Sequence, residues 1–197
     1  GCCGAVNYHL SEHEKGLERM RQNIDAWWPA IEAGAEAIIM TASGCGAMVQ
    51  DYGHLLKDDP VYAAKAQKVS ELCTDLGAFL LKQDLEKLKV RQDPGKVAFH
   101  CPCTLQHAMK QNGVVEQVLT RAGVNLAATK DKHLCCGSAG TYSVTQPEMS
   151  QKLLGNKLKA LTVDNPDRIV TANIGCQMHL ETKSPVPVQH WIELLDQ

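Results

Sequence analysis

A chain of 197 residues, 44% hydrophobic and 21% charged, carries enough apolar material for one large core or two smaller ones. Its formal net charge of -2, without any dense Lys/Arg cluster, excludes a phosphate track for nucleic acid. Apolar runs such as AIIM and AFLL fall far short of the roughly 18 residues a transmembrane helix needs, and no signal-peptide pattern precedes them.

The chain opens on GCCGAVNYHL, inside a motif and without a Met, so a fragment of a longer protein is expected. SEHEK (Ser11 to Lys15) reads as a solvated helix surface, and Trp27-Trp28 as packing anchors at helical positions. VYAAKAQKVSELCTDLGAFLLKQDLEKL reads as helix, with Cys73 packed in a core, and RQDPGK (Arg91 to Lys96) as a turn-rich boundary. KVAFHC is a short strand, after which Pro102 can open a helix. TLQHAMKQNGVVEQVLTRAG has helical spacing closed by Gly123, and VNLAAT is a further strand. PEMSQKLLGNKLKALTV reads as helix, RIVTAN as strand, and GCQMHLE as a turn or helix, with Trp191 beyond it as another packing anchor.

Sliding the chain over itself by about 133 residues matches Cys2-Cys3-Gly4 to Cys135-Cys136-Gly137, Tyr8 to Tyr142, Asn23 to Asn156 and Ala26 to Ala160. TASGC (Thr41 to Cys45) then faces TANIGC (Thr171 to Cys176). The preserved order indicates a duplication. The expected fold class is α/β, with two pseudo-symmetric modules, each a small mainly parallel sheet flanked by helices. Residues 1–90 form the first module, lacking its opening strand and helix, and 95–197 the second and complete one. The missing partner of Cys103 would lie as far upstream of Cys2 as Cys103 lies upstream of Cys135.

Nine cysteines, an odd count with no secretory signal, favour metal or cluster ligation over disulfides. In the second copy the spacing is Cys103, 31 residues, Cys135-Cys136, 39 residues, Cys176. Loops beyond the carboxyl ends of parallel strands are where ligands bind, and thiolates gathered there select iron-sulfur, zinc or copper(I). Adjacent cysteines diverge, which suits a polynuclear cluster better than a tetrahedral zinc, although a structural zinc module that scaffolds subunits stays open. Gly44 and Gly175, each just before a cysteine, would admit a bulky inorganic core. Cys101 reads as a small apolar residue closing a buried strand, with ligation as the alternative. His100, His133 and His179 each lie within three residues of a proposed ligand, and hydrogen bonding around the site or solvent exposure is preferred to ligation for each. No nucleophile constellation and no Gly-rich phosphate loop is present, so no catalytic residue is assigned.

GCCGAVNYHL, NIDAWWPAIEAGAEAI, FHCPCTLQHA, KHLCCGSAGTY, VTANIGCQMHL and HWIELL together resemble the cysteine-rich CCG domain of heterodisulfide reductases and of the iron-sulfur subunits of flavoprotein dehydrogenases, most narrowly those that oxidise glycolate. The resemblance covers essentially the whole chain. It implies 4Fe-4S cluster(s) held by Cys103, Cys135, Cys136 and Cys176, with Cys2, Cys3 and Cys45 as further metal ligands in the first copy. It also implies electron transfer from a partner flavoprotein subunit, which holds FAD, toward the membrane quinone pool, in a cytoplasmic complex that can lie peripherally on the inner membrane. The chain alone is then not catalytic, and lactate or glycerol 3-phosphate is the alternative substrate of the complex. The fuller CCG pattern closes with Cys-x-x-Cys, whereas Met48 and His179 stand at those last positions here, so each copy offers one thiolate fewer.

Overall fold

Aliphatic runs too short for a helix and bounded by turn residues form the strands, and longer runs with apolar residues three and four apart form the helices that cover them. The computed structural model describes residues 1–85 and 94–195. The chain divides into two compact units, Gly1–Leu76 and Gly77–Gln197. Of the expected turn-rich boundary, Arg91 to Asp93 lie outside the described residues, as does the tail of the preceding helical segment from 86 onward.

In the first unit α1 (Ala5–His9) and α2 (His13–Glu32) lead into β1 (Ile38–Met40). α3 (Ser43–Gln50), α4 (Tyr52–Leu55), α5 (Ala63–Leu72) and β2 (Cys73–Asp75) follow. β1 and β2 pair in parallel, Ile38 opposite Cys73. α2 turns Gly16, Met20, Asn23 and Ile24 inward, the spacing of one helix face. Met20, Ile24, Val49, Tyr52 and Val69 are fully buried in this core. Trp27 packs against it and stacks on Tyr52 with ring centroids 6.5 Å apart, as expected of a packing anchor. The expectation that Cys73 sits on a helix is corrected: the segment from 61 breaks into α5, β2 and a short α6 (Leu76–Leu80). Cys73 is nevertheless a core residue, 7% exposed, with burial pushing its thiol up to about 12.

The second unit holds one parallel sheet in the order β4-β3-β5-β6, formed by β3 (Lys96–His100), β4 (Asn125–Leu126), β5 (Arg168–Thr171) and β6 (Val188–His190). Val97 pairs with Leu126 on one side and Arg168 on the other, and His100, Thr171 and His190 stand in register at the carboxyl ends of their strands. Four consecutive residues of β3, Val97 to His100, are buried, as expected of a parallel strand covered on both faces. The single helix expected from Thr104 to Gly123 is instead a π-helical turn (Thr104–Ala108) and α7 (Val114–Arg121). Between them Lys110 and Gly113 take left-handed backbone, φ 55° and 78°, which no continuous helix permits. α8 (Tyr142–Thr145), α9 (Pro147–Leu161) and α10 (Ile174–Glu181) complete the unit, with Trp191 fully buried in a terminal 3-10 turn (Trp191–Leu194).

Candidate metal centre

The sheet order decides which cysteines can meet. β4, β3 and β5 are adjacent and parallel, so the loops leaving their carboxyl ends open on one edge. The loop after β3 carries Cys101 and Cys103, the one after β4 carries Cys135 and Cys136, and the one after β5 enters α10, whose first turn holds Cys176. Sequence segments far apart thereby deliver thiols to one place.

There the sulfurs follow one another in a row, of which only Cys136 and Cys176 belong to a compact group of possible metal donors among the described residues. Cys103 bonds Cys135, Cys135 bonds Cys136, and Cys136 bonds Cys176. The contacts along the row favour thiolate at Cys135 and Cys176 and thiol at Cys103 and Cys136. Hydrogen bonds from Cys103 and then Cys136 pull Cys135 down to about 2, and the bond from Cys136 pulls Cys176 down to about 5. Sharing its proton with Cys135 holds Cys103 well above the thiol range, and the bonds to Cys135 and Cys176, with burial, do the same to Cys136. Further donors converge on the sulfurs: Gly137 N–H reaches Cys135 Sγ at 3.3 Å and Asn173 Nδ2 reaches Cys176 Sγ at 3.7 Å. Cys176 also stands in the first turn of α10, where the positive end of the helix dipole favours a thiolate. Burial runs from Cys103, which is exposed, to Cys136 and Cys176, which are not.

The glycine after each cysteine pair has a local cause. Gly137 takes φ 94° and lies so close to α9 that a Cβ would collide with the Ser150 carbonyl oxygen. Gly4 takes φ 88°, and a Cβ there would stand 2.8 Å from the Gly16 oxygen of α2. Each turn is left-handed and seated on a helix, so only glycine fits. Ser150 Oγ then donates to the Gly137 carbonyl at 2.8 Å and meets His179 Nε2 at 3.1 Å.

Of the three histidines near the cysteines, His179 is thus a buried hydrogen-bonding residue and His133 is exposed. His100 differs. It is 1% exposed, and a ring nitrogen lies within 4.8 Å of both the Cys136 and the Cys176 sulfurs. Neither ring nitrogen meets the geometry of a hydrogen bond, yet the ring stands near enough to Cys176 to favour its thiolate. Cys101 is buried at the end of β3, 5% exposed, with its Sγ 3.9 Å from the Pro102 oxygen.

Sequence reasoning gave no role to Lys157, which is 1% exposed and donates from Nζ to the carbonyls of Lys132 at 3.0 Å and Asp131 at 3.5 Å. These bonds fix the loop running into Cys135. Burial lowers its pKa, and the charge of Cys101, Cys136, Cys135 and Cys176 opposes that fall. The repeat could have found it with a different register. The buried face of α2, Gly16, Met20, Asn23 and Ile24, corresponds at a constant offset to Ser150, Leu154, Lys157 and Leu158 of α9. Pairing Asn23 with Asn156 is therefore corrected: Asn156 is exposed, because one residue of slip turns a helix position about 100° away from the core.

In the first unit Cys3 stands next to both Cys45 and Cys2, though the three sulfurs form no compact donor group among the described residues. Cys3 bonds Cys45 and Cys2, and the Cys45 bond pulls Cys3 down to about 6 while pushing Cys45 up. Cys45 stands in the first turn of α3, as Cys176 does in α10. Asn23 Nδ2 donates to the Cys2 carbonyl at 2.8 Å and to Tyr52 Oη at 3.0 Å, and Tyr52 Oη donates to the Cys3 carbonyl at 2.8 Å.

Sulfur donors on three converging loops, helix dipoles behind them and N–H groups aimed at the sulfurs are features of a soft-metal site. The sequence belongs to the family of CCG cysteine-rich domains, whose pattern matches residues 1–50 and 97–181. Across all 197 residues it is 60% identical to a glycolate oxidase iron-sulfur subunit of Escherichia coli K12, covering 48% of that protein. A probable glycolate oxidase iron-sulfur subunit of Bacillus subtilis 168 is 34% identical over 182 residues, 91% of this chain and 40% of the relative. Lactate utilization protein A of Geobacillus thermodenitrificans NG80-2 is 24% identical over 201 residues, 99% of this chain and 82% of the relative. The chain thus spans about half the length of the glycolate oxidase subunits it matches. Among the described residues no helix is long and apolar enough to cross a membrane.

Proposed function

We propose that the chain is the cluster-bearing part of an iron-sulfur subunit in a flavin-dependent complex that oxidises glycolate. It would pass electrons from a partner flavoprotein subunit, which holds FAD, toward a quinone. A 4Fe-4S cluster is held in the second module (95–197) by Cys103, Cys135, Cys136 and Cys176. Cys2, Cys3 and Cys45 offer a second, three-thiol metal site in the first (1–90). The observation that carries this reading is that three loops leaving one edge of the sheet deliver all four cysteines there, with the Cys136 and Cys176 sulfurs within 4.8 Å of each other. The adjacent Cys135 and Cys136 sulfurs converge here instead of diverging, and a polynuclear centre offers each its own metal atom. The cluster supplies a one-electron couple, and the chain supplies ligands, N–H donors to sulfur and burial. The relatives' printed names support the assignment to glycolate oxidation.

Anaerobic purification with iron and acid-labile sulfide analysis tests the reading. Expected are sulfide in proportion to iron and an electron paramagnetic resonance signal on reduction. Stoichiometric zinc without sulfide overturns it in favour of a scaffolding module. Lactate is the second substrate reading, favoured by the match to lactate utilization protein A over most of that relative's length. Reduction of the reconstituted complex by glycolate but not lactate decides between them.

A further inference from the structure

β3 is buried from Val97 to its end at His100, and His100 closes the strand inside the protein rather than at its surface. An imidazole has two ring nitrogens, at least one a donor in any protonation state. Leaving such a group buried without a partner is costly, and both nitrogens of His100 are in that position. The sulfurs of Cys136 and Cys176 are its metal-ligating neighbours, and the three donor atoms all lie within 4.8 Å of one another. All three residues are buried. His179 makes the contrast, since its Nε2 is bonded to Ser150.

The neighbouring strand adds an independent observation. Thr171 stands in register with His100, and its Oγ1 is also buried without a partner. A histidine that binds a metal through one nitrogen hands the other to a nearby polar group, which fixes the ring. Thr171 offers such a group at the adjacent strand position.

We propose that His100 binds the metal of the second unit's centre through a ring nitrogen, beside Cys136 and Cys176, so that the centre has five protein donors, four thiolates and one imidazole. This rests on the metal-centre reading above and deepens it. A neutral imidazole supplies the fifth donor without adding negative charge at the buried end, where charge is most costly, and in iron-sulfur centres histidine ligation raises the reduction potential. Cys103, the exposed member of the row, marks the other end of the centre.

Pulsed electron paramagnetic resonance of the full-length protein, labelled with [15N]histidine and reduced anaerobically, tests this. A strongly coupled 15N nucleus is expected in the wild type, lost in His100→Ala and retained in His133→Ala and His179→Gln. His100→Cys, which keeps a donor, should lower the midpoint potential of the centre. A wild-type spectrum without a strongly coupled nitrogen overturns the proposal, and so does a coupling that survives His100→Ala. If sulfide is absent and a single divalent ion is bound, the cluster reading fails, and His100 is then judged in the cobalt-substituted protein. A paramagnetically shifted imidazole N–H resonance, lost in His100→Ala, supports it, and sulfur-only ligation refutes it. Should His100→Ala not fold, His100→Cys takes its place: loss of the nitrogen coupling with the metal retained supports the proposal, and a surviving coupling overturns it.

Discussion

The two units build the same corner from different residues. In both, a left-handed glycine after a cysteine pair rests on a helix, and a buried polar side chain of that helix holds backbone carbonyls at or before the pair. In the first unit that side chain is the neutral Asn23, helped by Tyr52, and three thiols gather around it. In the second it is the cationic Lys157, and four thiols and an unpartnered imidazole gather. The charged side chain accompanies the larger set of thiols. A buried ammonium with no carboxylate paired to it among the described residues is tolerable only beside other anions, and thiolates are the anions near Lys157. The second unit is thus shaped for a more negative occupant than the first.

Removing Cys136 tests that contrast most severely. It joins Cys135 to Cys176, so Cys136→Ser should abolish metal binding in the second unit, while Cys45→Ser leaves that unit's metal content intact. Metal analysis of the two variants reads the difference, and equal losses would dissolve the distinction. Gly137→Ala comes next. It puts a Cβ against the Ser150 oxygen in left-handed backbone, an expected loss of about 2–4 kcal/mol of stability by thermal unfolding. Gly4→Ala, with the longer 2.8 Å approach, should cost less.

Lys157→Met retains bulk and removes the charge. It should lower the second centre's midpoint potential by on the order of tens of millivolts, since about 59 mV is a tenfold change for a one-electron couple. Asn23→Ala should leave that potential where it was. The smallest effect is the pH response of the metal-free protein. Cys3 falls from its ordinary value of 9.0 to about 6 on folding, so its contribution is complete above pH 9 and is lost as pH falls toward 6. Cys45 is raised and keeps its proton when unfolded chains have lost theirs, so its contribution fades at higher pH. Stability set by this pair should therefore peak near pH 9, read by denaturant melts across the range.

β3, β5 and α9 were legible because each is long or apolar enough for its period to be unambiguous. β2 was not. Its three residues follow α5 without a break in apolar spacing, and a strand that short has no alternation to detect. The interruption at Lys110 to Gly113 did have a signal, the Asn112-Gly113 pair, which the helical spacing on either side concealed. The spacing and type of Cys103, Cys135, Cys136 and Cys176 were enough to single them out, and the sheet order explains why their loops open on one edge. His100 could not be separated in sequence from His133 and His179, since all three lie within three residues of a proposed ligand and only strand register buries one of them beside the sulfurs. Lys157 was hidden by its type, because a lysine on a helix ordinarily faces water.

The row of sulfurs has a mechanical consequence. Anything that grips Cys103, Cys135, Cys136 and Cys176 together ties off the 31-residue and 39-residue stretches between them, as crosslinks would. By the chain-entropy relation for crosslinks, each closure restricts the unfolded polymer by about 4 kcal/mol. Metal bound there would add to the stability of a unit whose sheet is already formed, and a chelator would take that increment away.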